Sequence, residues 1–211
     1  MGLTYTNYPE QEERLPKTGK YIIGQYDSNS IIVYQAYNHK IADFAVRYQK
    51  LGGSAFSYNR MSWVKPSFLW MMYRSGWATK ENQERILAIR ISIQNWEKIL
   101  SKAVVSSYKQ ELYKSEAEWK KALSESGVRL QWDPDHDPCG RKLERKAIQI
   151  GMRGETLKEF GEGMIISIED VTDFVEKQRS FRELKQPDRL IVPEEKIYRP
   201  VIQLMNIGLD V

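Results

Sequence analysis

A segment between Arg60 and Trp77 concentrates the residue types that bind flat, anionic molecules. It reads RMSWVKPSFLWMMYRSGW and contains three tryptophans, three methionines, two arginines and one lysine. Pro66 favours a first helical turn and Gly76 supplies a left-handed stop, so the segment predicts a short helix. Because residues 68–73 are apolar on every side, we expect this helix to be buried, with cations at both ends.

Buried aromatic rings beside fixed cations suit a nucleotide. We expect Lys65 or Arg74 to neutralise a pyrophosphate and Trp63 or Tyr34 to stack on a ring. Arg60 adds a third cation to the same segment. A purely structural aromatic core would use the same residues, and this alternative stays open.

Polar side chains also recur where predicted strands end. They are Gln35 with Asn38, Gln131 with Asp133, and Gln149 beside Gly151. Strand ends are where ligand sites collect, and amides both donate and accept hydrogen bonds, as reading a base edge requires. Cross-strand pairing on a half-exposed sheet is the competing interpretation. We therefore predict a pocket between the 35–38 strand end and the aromatic helix, with Gln35, Ser62 and Gln149 as candidate catalytic residues.

Several other kinds of site are disfavoured. Phosphate-binding glycine loops are absent, and one cysteine with two histidines cannot form a structural zinc site. The cluster at residues 133–139, DPDHDPC, could hold a hard cation, but its two Asp-Pro turns favour a solvated loop. Cys139 lacks a convincing base, since His136 lies in the same loop. We therefore expect no metal.

A basic run offers a different function. Arg141, Lys142, Arg145 and Lys146 could track a phosphate backbone, while exposed aromatic residues stack on bases. Such a run is also typical of a solvated loop. The net charge of +4 permits contact with RNA or DNA without demanding it.

The pattern of elements predicts an α+β fold. Strands are expected near residues 21–26, 31–37, 85–91, 128–132, 147–150 and 164–168, with helices between them at irregular intervals. This order lacks the βαβ rhythm of a doubly wound sheet, so we expect a mixed or antiparallel central sheet flanked by helices. The apolar run at 85–91 should be the central strand.

Length and composition favour a single domain. With 211 residues, we expect an arm at 1–19, one α+β domain at 20–186 and an extended tail at 187–211 packed on it. No apolar run is long enough to span a bilayer, and the start lacks an apolar signal core. A single cysteine rules out an internal disulfide. These features predict a cytoplasmic protein without membrane contact.

Several long phrases resemble the domain-of-unknown-function family 4291, and together they cover nearly the whole chain. They are IVYQAYN at 32–38, MSWVKPSFLWMMYRSGW at 61–77, QERILAIR at 83–90, VRLQWDP at 128–134 and IQIG at 148–151. The resemblance names a family and implies no particular reaction.

The chain is also similar, more weakly, to the ADP-ribosyltransferase superfamily. There a first strand reads Tyr followed by Arg or His, a second carries Ser-Thr before a helix, a third is apolar and a later one supplies Glu. Segments 33–35, 61–63 and 86–91 follow this order, with Gln35 in place of Arg or His and Gln149 nearest the Glu. The resemblance implies an enzyme that binds NAD or a nucleotide and acts on a nucleotide or nucleic acid. A non-catalytic nucleic-acid binding module is the alternative.

Overall fold

The computed structural model describes residues 2–201 and 208–209. Within them the helices are α1 (Tyr8–Arg14), α2 (His39–Tyr48), α3 (Phe68–Ser75), α4 (Ile93–Ser101), α5 (Glu116–Glu125), α6 (Gly154–Glu159) and α7 (Thr172–Glu183). The strands are β1 (Tyr5–Asn7), β2 (Ile22–Gly24), β3 (Ser30–Tyr37), β4 (Ser62–Val64), β5 (Arg85–Ser92), β6 (Ala103–Val105), β7 (Val128–His136), β8 (Lys142–Met152), β9 (Ile165–Asp170), β10 (Ile191–Pro193) and β11 (Lys196–Tyr198). The predicted α+β class is confirmed.

Two larger sheets form the body of the described chain. The first is antiparallel, in the order β3-β5-β9, and the second has the order β4-β8-β7-β6, with β6 parallel to β7. Strand β5 lies at the centre of the first sheet, as its apolar run predicted, and most of its residues are buried. One apolar cluster spans both sheets, and a second packs α3 and α7 against the opposite face of β3 and β5.

The two sheets are joined beside β4. The Tyr34 amide donates to the Lys65 carbonyl at 2.7 Å, and the Lys65 amide donates back to the Tyr34 carbonyl at 3.1 Å. This isolated bridge places the residue that follows β4 against the middle of β3. Chain segments that are far apart in sequence therefore meet at one place.

Helix ends follow the local signals. Asn38, Ser67, Ser92 and Ser115 each accept a backbone N–H in the first turn of the helix that follows. Helix α3 ends at Gly76, whose φ of 61° is left-handed, as predicted. The expectation that residues 68–73 are buried on every side is wrong at Tyr73, which is 39% exposed. Tyr73 lies on the one flank of α3 that faces solvent, while the other faces of this helix pack against the sheets and α7.

The terminal segments pair with the body and with each other. β1 pairs with β10, and β11 pairs with β2, both antiparallel. Glu195 lies between these C-terminal strands and accepts the Phe68 amide at the start of α3 at 2.6 Å. The last part of the predicted tail, at 202–207 and 210–211, lies outside the described residues. No helix in the described residues has the length and apolarity needed to cross a membrane.

Candidate functional site

A cavity of about 480 Å³ lies where β3, β4, β7, β8 and α3 meet. Seven of the predicted site residues line it together: Gln35, Arg60, Ser62, Trp63, Lys65, Arg74 and Gln149. They come from three strands, one helix and the segments that flank β4. The structure therefore brings together residues that are separated by up to 114 positions in the sequence.

Trp63 reaches the cavity because its cross-strand partner is a glycine. Trp63 pairs with Gly151 on β8, and a Cβ atom at Gly151 would lie 2.9 Å from the Trp63 ring and 2.8 Å from the Met61 sulfur. Real Cβ atoms essentially never approach other atoms so closely. The glycine predicted at this strand end therefore makes room for the aromatic side chain.

Gln35 is held in a single orientation. Its Nε2 donates to Ser62 Oγ at 2.8 Å and to the Trp63 carbonyl at 3.3 Å. A carbonyl oxygen can only accept, so the amide nitrogen must face Trp63. The Gln35 Oε1 atom is then left buried without a hydrogen-bond partner in the part of the chain that the structure describes. A buried acceptor without a donor is costly, so packing alone does not account for a glutamine at this position.

The Ser62 hydroxyl also contacts Tyr37. The two hydroxyl oxygens are 3.0 Å apart, and Tyr37 lines the same cavity. Burial raises the pKa of the Tyr37 phenol, so the phenol remains a neutral hydrogen-bond donor at physiological pH. Tyr37 lies two residues after Gln35 on β3, and this spacing places both side chains on the same face of the strand.

Two further glutamines are anchored by one carboxylate. Gln131 and Gln149 are cross-strand partners on β7 and β8, and each donates its Nε2 to Asp133, at 2.8 and 2.7 Å. A carboxylate only accepts, so both amide nitrogens face Asp133. Asp133 is not among the residues that line the cavity, and it acts by orienting the two amides that do.

Lys65 is the most deeply buried cation that lines the cavity. Lys65 is only 4% exposed, and its Nζ lies 3.5 Å from the Trp63 carbonyl oxygen. Burial and, to a smaller extent, the nearby Arg74 lower the pKa of this amine, Asp133 opposes them, and the resulting pKa is about 7. The amine therefore exchanges a proton near neutral pH.

The cavity is basic. Arg60, Lys65 and Arg74 line it, and no carboxylate is found among the lining residues that the structure describes. Arg60 and Arg74 are exposed, so they lie where the cavity opens to solvent. This charge favours an anionic ligand, whose negative groups would sit at the mouth.

Two predicted residues lie elsewhere. Tyr34 points to the opposite face of β3 from Gln35, because side chains alternate along a strand, and it packs edge-on against Phe68 with ring centroids 5.6 Å apart. Asn38 caps α2 by accepting the Ile41 amide at 3.1 Å. Neither lines the cavity, so the prediction that they contact the ligand is not supported by their positions.

The basic run at 141–146 does not form a loop of free cations. Most of it belongs to β8, and Arg145 is only 2% exposed. Arg145 donates to both carboxylate oxygens of Glu12, at 2.7 and 2.8 Å, and to Asp135 at 2.7 Å. The prediction that Arg145 contacts phosphates is therefore wrong, because its guanidinium is buried and already bound to carboxylates.

The other members of the run differ in exposure. Arg141 is exposed but forms an ion pair with Asp137 at 2.6 Å, Lys142 is exposed, and Lys146 is half-buried. Asp137 and Asp135 thus both bind arginines, which accounts for two carboxylates of the acidic cluster. Among the residues described, no group of three or more His, Cys, Asp or Glu side chains is arranged to hold a metal ion.

Some lining residues were not predicted as site residues. They are Ala36, Tyr37, Met61, Met71 and Gln83, while Gln131 was among the strand-end amides singled out from the sequence. Strand and helix periodicity could have identified two of them: Tyr37 follows Gln35 by two positions on β3, and Met71 precedes Arg74 by three on α3. Gln83 is brought to the cavity by a loop, for which no periodic signal exists.

Comparison with known proteins gives one family assignment. A search of curated proteins found no match for this chain. A family model described as Domain of unknown function (DUF4291) matches residues 21–198, a range that includes every residue that lines the cavity. The match extends over most of the chain, and the chain therefore belongs to the DUF4291 family.

Proposed function

We propose that the cavity binds NAD or a related nucleotide, and that the protein is an ADP-ribosyltransferase-like enzyme acting on a nucleotide or nucleic acid. The observation that carries the proposal is the convergence of three cations, an aromatic ring and three oriented amides on one cavity. Phosphates, a flat ring and a donor-bearing base or carboxamide are the complementary groups of a nucleotide. A cytoplasmic location is part of the same proposal.

The donor set fits such a ligand. Arg60 and Arg74 would hold the phosphates, since guanidinium groups bind phosphate oxygens in a bidentate manner. Trp63 would stack on a ring, and the amide of Gln35, a residue that lines the cavity, would hydrogen-bond to the ligand. NAD, when bound, would supply an ADP-ribosyl group whose bond to nicotinamide is activated for transfer.

The residues of this chain would then orient the bound NAD and exclude water from it, instead of supplying a carboxylate. Gln149 stands where the resemblance expects Glu, and it is tied to Asp133 at 2.7 Å. Tyr37 and Ser62 can donate hydroxyl protons to the bound molecule. Charge stabilisation at the reacting carbon would therefore come from oriented dipoles.

Isothermal titration calorimetry against NAD, ATP and nucleoside monophosphates tests the binding step. We expect NAD or a nucleotide to bind, and Arg74→Met to weaken binding roughly 10- to 100-fold, the loss of one charged hydrogen-bonding group. Arg47→Met is the matched control, since Arg47 is exposed on α2 and does not line the cavity. Absence of binding across the panel would refute the proposal.

The transfer step needs a separate assay. NAD labelled in its adenosine part would be incubated with the protein and with single-stranded RNA or DNA, and label retained on the nucleic acid after denaturing washes would be counted. Retained label that Gln35→Leu abolishes is the expected result. If NAD binds and no label is transferred, the binding proposal stands and the transferase proposal falls.

The non-catalytic nucleic-acid module makes a different prediction. Backbone binding through Lys142 and Lys146 would weaken steeply as salt is raised, whereas a nucleotide in a cavity responds less. Because Arg145 is buried and paired with Glu12 and Asp135, the exposed basic patch is smaller than the sequence indicated. The structure thus favours the cavity over this surface as the first site to test.

A further inference from the structure

Lys65 differs from the other fully buried cation of the described chain. Arg145 is surrounded by carboxylate oxygens of Glu12 and Asp135 at 2.7 to 2.8 Å. The Lys65 amine has no carboxylate within 4.0 Å among the described residues, and the one hydrogen-bond contact of its Nζ there is the Trp63 carbonyl at 3.5 Å. Burying an ammonium ion with so little compensation is costly, so a structural role does not account for the choice of lysine.

The main chain of Lys65 is held beside the cavity. Lys65 is locked to Tyr34 by two hydrogen bonds, of 2.7 and 3.1 Å, at the bridge between the two sheets. Its side chain lines the cavity although the residue is only 4% exposed. An amine that is nearly dry and borders a cavity can meet a ligand with little competition from bulk water.

The surroundings favour the neutral amine. Burial lowers the pKa of Lys65 to about 7, with Arg74 of α3 acting in the same direction and Asp133 of β7 acting against both. A desolvated lysine next to another cation is a recurring way to produce a nucleophilic amine. Lysines activated in this manner react with carbonyl groups to form imines.

We propose that Lys65 is a covalent site at which the amine condenses with the aldehyde or ketone group of a small anionic molecule. The lone pair of the neutral Nζ adds to the carbonyl carbon, and the carbonyl oxygen takes up a proton to give a carbinolamine. Loss of that oxygen as water leaves the imine, so one amine and one carbonyl yield one imine and one water. Arg60 and Arg74 at the mouth of the cavity would hold the phosphate or carboxylate of the same molecule.

This inference goes beyond the proposed function and does not rest on it. Nucleotide binding is non-covalent and is measured by calorimetry, whereas imine formation is measured as a reducible mass increase on one lysine. If NAD binds in calorimetry but Lys65 gains no mass after reduction, only the present inference is refuted. If a carbonyl probe modifies Lys65 but no nucleotide binds in calorimetry, only the proposed function is refuted.

The experiment uses the full chain with two probes, pyridoxal 5′-phosphate and glyoxylate, each followed by reduction with borohydride and peptide mass spectrometry. At pH 7.5 the neutral fraction of an amine with a pKa near 7 is roughly 1000-fold larger than that of an ordinary lysine. We therefore expect Lys65 to be modified roughly tenfold or more faster than exposed Lys40. Lys65→Arg should abolish this rapid labelling, and Lys40→Arg should leave it unchanged.

A pH series adds a second criterion. Labelling of Lys65 should rise between pH 6 and pH 8 and then level off. Modification of Lys65 by glyoxylate alone would support the site and limit its ligand to small carbonyl compounds. If both probes modify the exposed lysines and leave Lys65 unmodified in the folded protein, the inference is overturned.

Discussion

The buried amine of Lys65 makes the stability of the protein depend on pH, and replacing it with methionine should remove that dependence. Methionine is one atom shorter than lysine, but it keeps an unbranched apolar side chain at this position and carries no charge. Lowering the pKa from 10.5 to about 7 corresponds to about 5 kcal/mol, because each pH unit is worth about 1.4 kcal/mol. This penalty is fully present when both folded and unfolded chains carry the charge.

The sign follows from proton counting. Between pH 7 and pH 10.5 the unfolded chain holds the Lys65 proton more often than the folded chain does, so this group makes the free energy of unfolding rise with pH. Below pH 7 the contribution is lowest and constant. The stability advantage of Lys65→Met should therefore be about 5 kcal/mol at pH 6 and about 2 kcal/mol at pH 9.

Urea denaturation at pH 6, 7, 8 and 9 measures this difference. Lys40→Met serves as the control, since Lys40 is exposed in the first turn of α2 and its removal should change stability by less than about 0.5 kcal/mol at every pH. Comparing each variant with the wild type at the same pH cancels the titration of all other groups. A difference between Lys65→Met and wild type that stays constant from pH 6 to pH 9 would refute the reasoning.

Three further perturbations have defined outcomes. Arg145→Met should lower the free energy of unfolding in urea by about 3–5 kcal/mol, because it leaves a buried carboxylate without its partner, whereas Lys142→Met should cost less than about 0.5 kcal/mol. Gly151→Ala should cost about 1–3 kcal/mol and weaken nucleotide binding in calorimetry, while Gly163→Ala, where a Cβ meets no atom within 4 Å, should leave binding unchanged. Burial raises the pKa of Glu195 well above 4.5. The folded chain therefore holds this proton more often than the unfolded chain, and the contribution of Glu195 to the free energy of unfolding falls as pH rises past 4.5. Glu195→Gln should make this fall smaller in urea denaturation measured between pH 5 and 8.

The sequence by itself determined most of the local structure. The N-caps at Asn38, Ser92 and Ser115, and the stop of α3 at Gly76, depend on residues within one helical turn of each other, so they can be recognised without knowledge of the fold. The apolar run of β5 likewise predicted a strand buried on both faces. Aromatic and cationic residues beside β4 indicated a ligand site for the same reason, since they are neighbours in the chain.

Tertiary structure decided which side chains face the cavity and which are buried elsewhere. Tyr34 and Gln35 are adjacent in sequence, yet only Gln35 lines the cavity, because the register of β3 on β5 selects the face. Arg145 is removed from the surface by Glu12, which lies 133 positions away. Lys65 is buried because a backbone bridge ties it to a strand of the other sheet. Burial and pairing of these charges depend on partners distant in sequence, and local propensity carries no information about such partners.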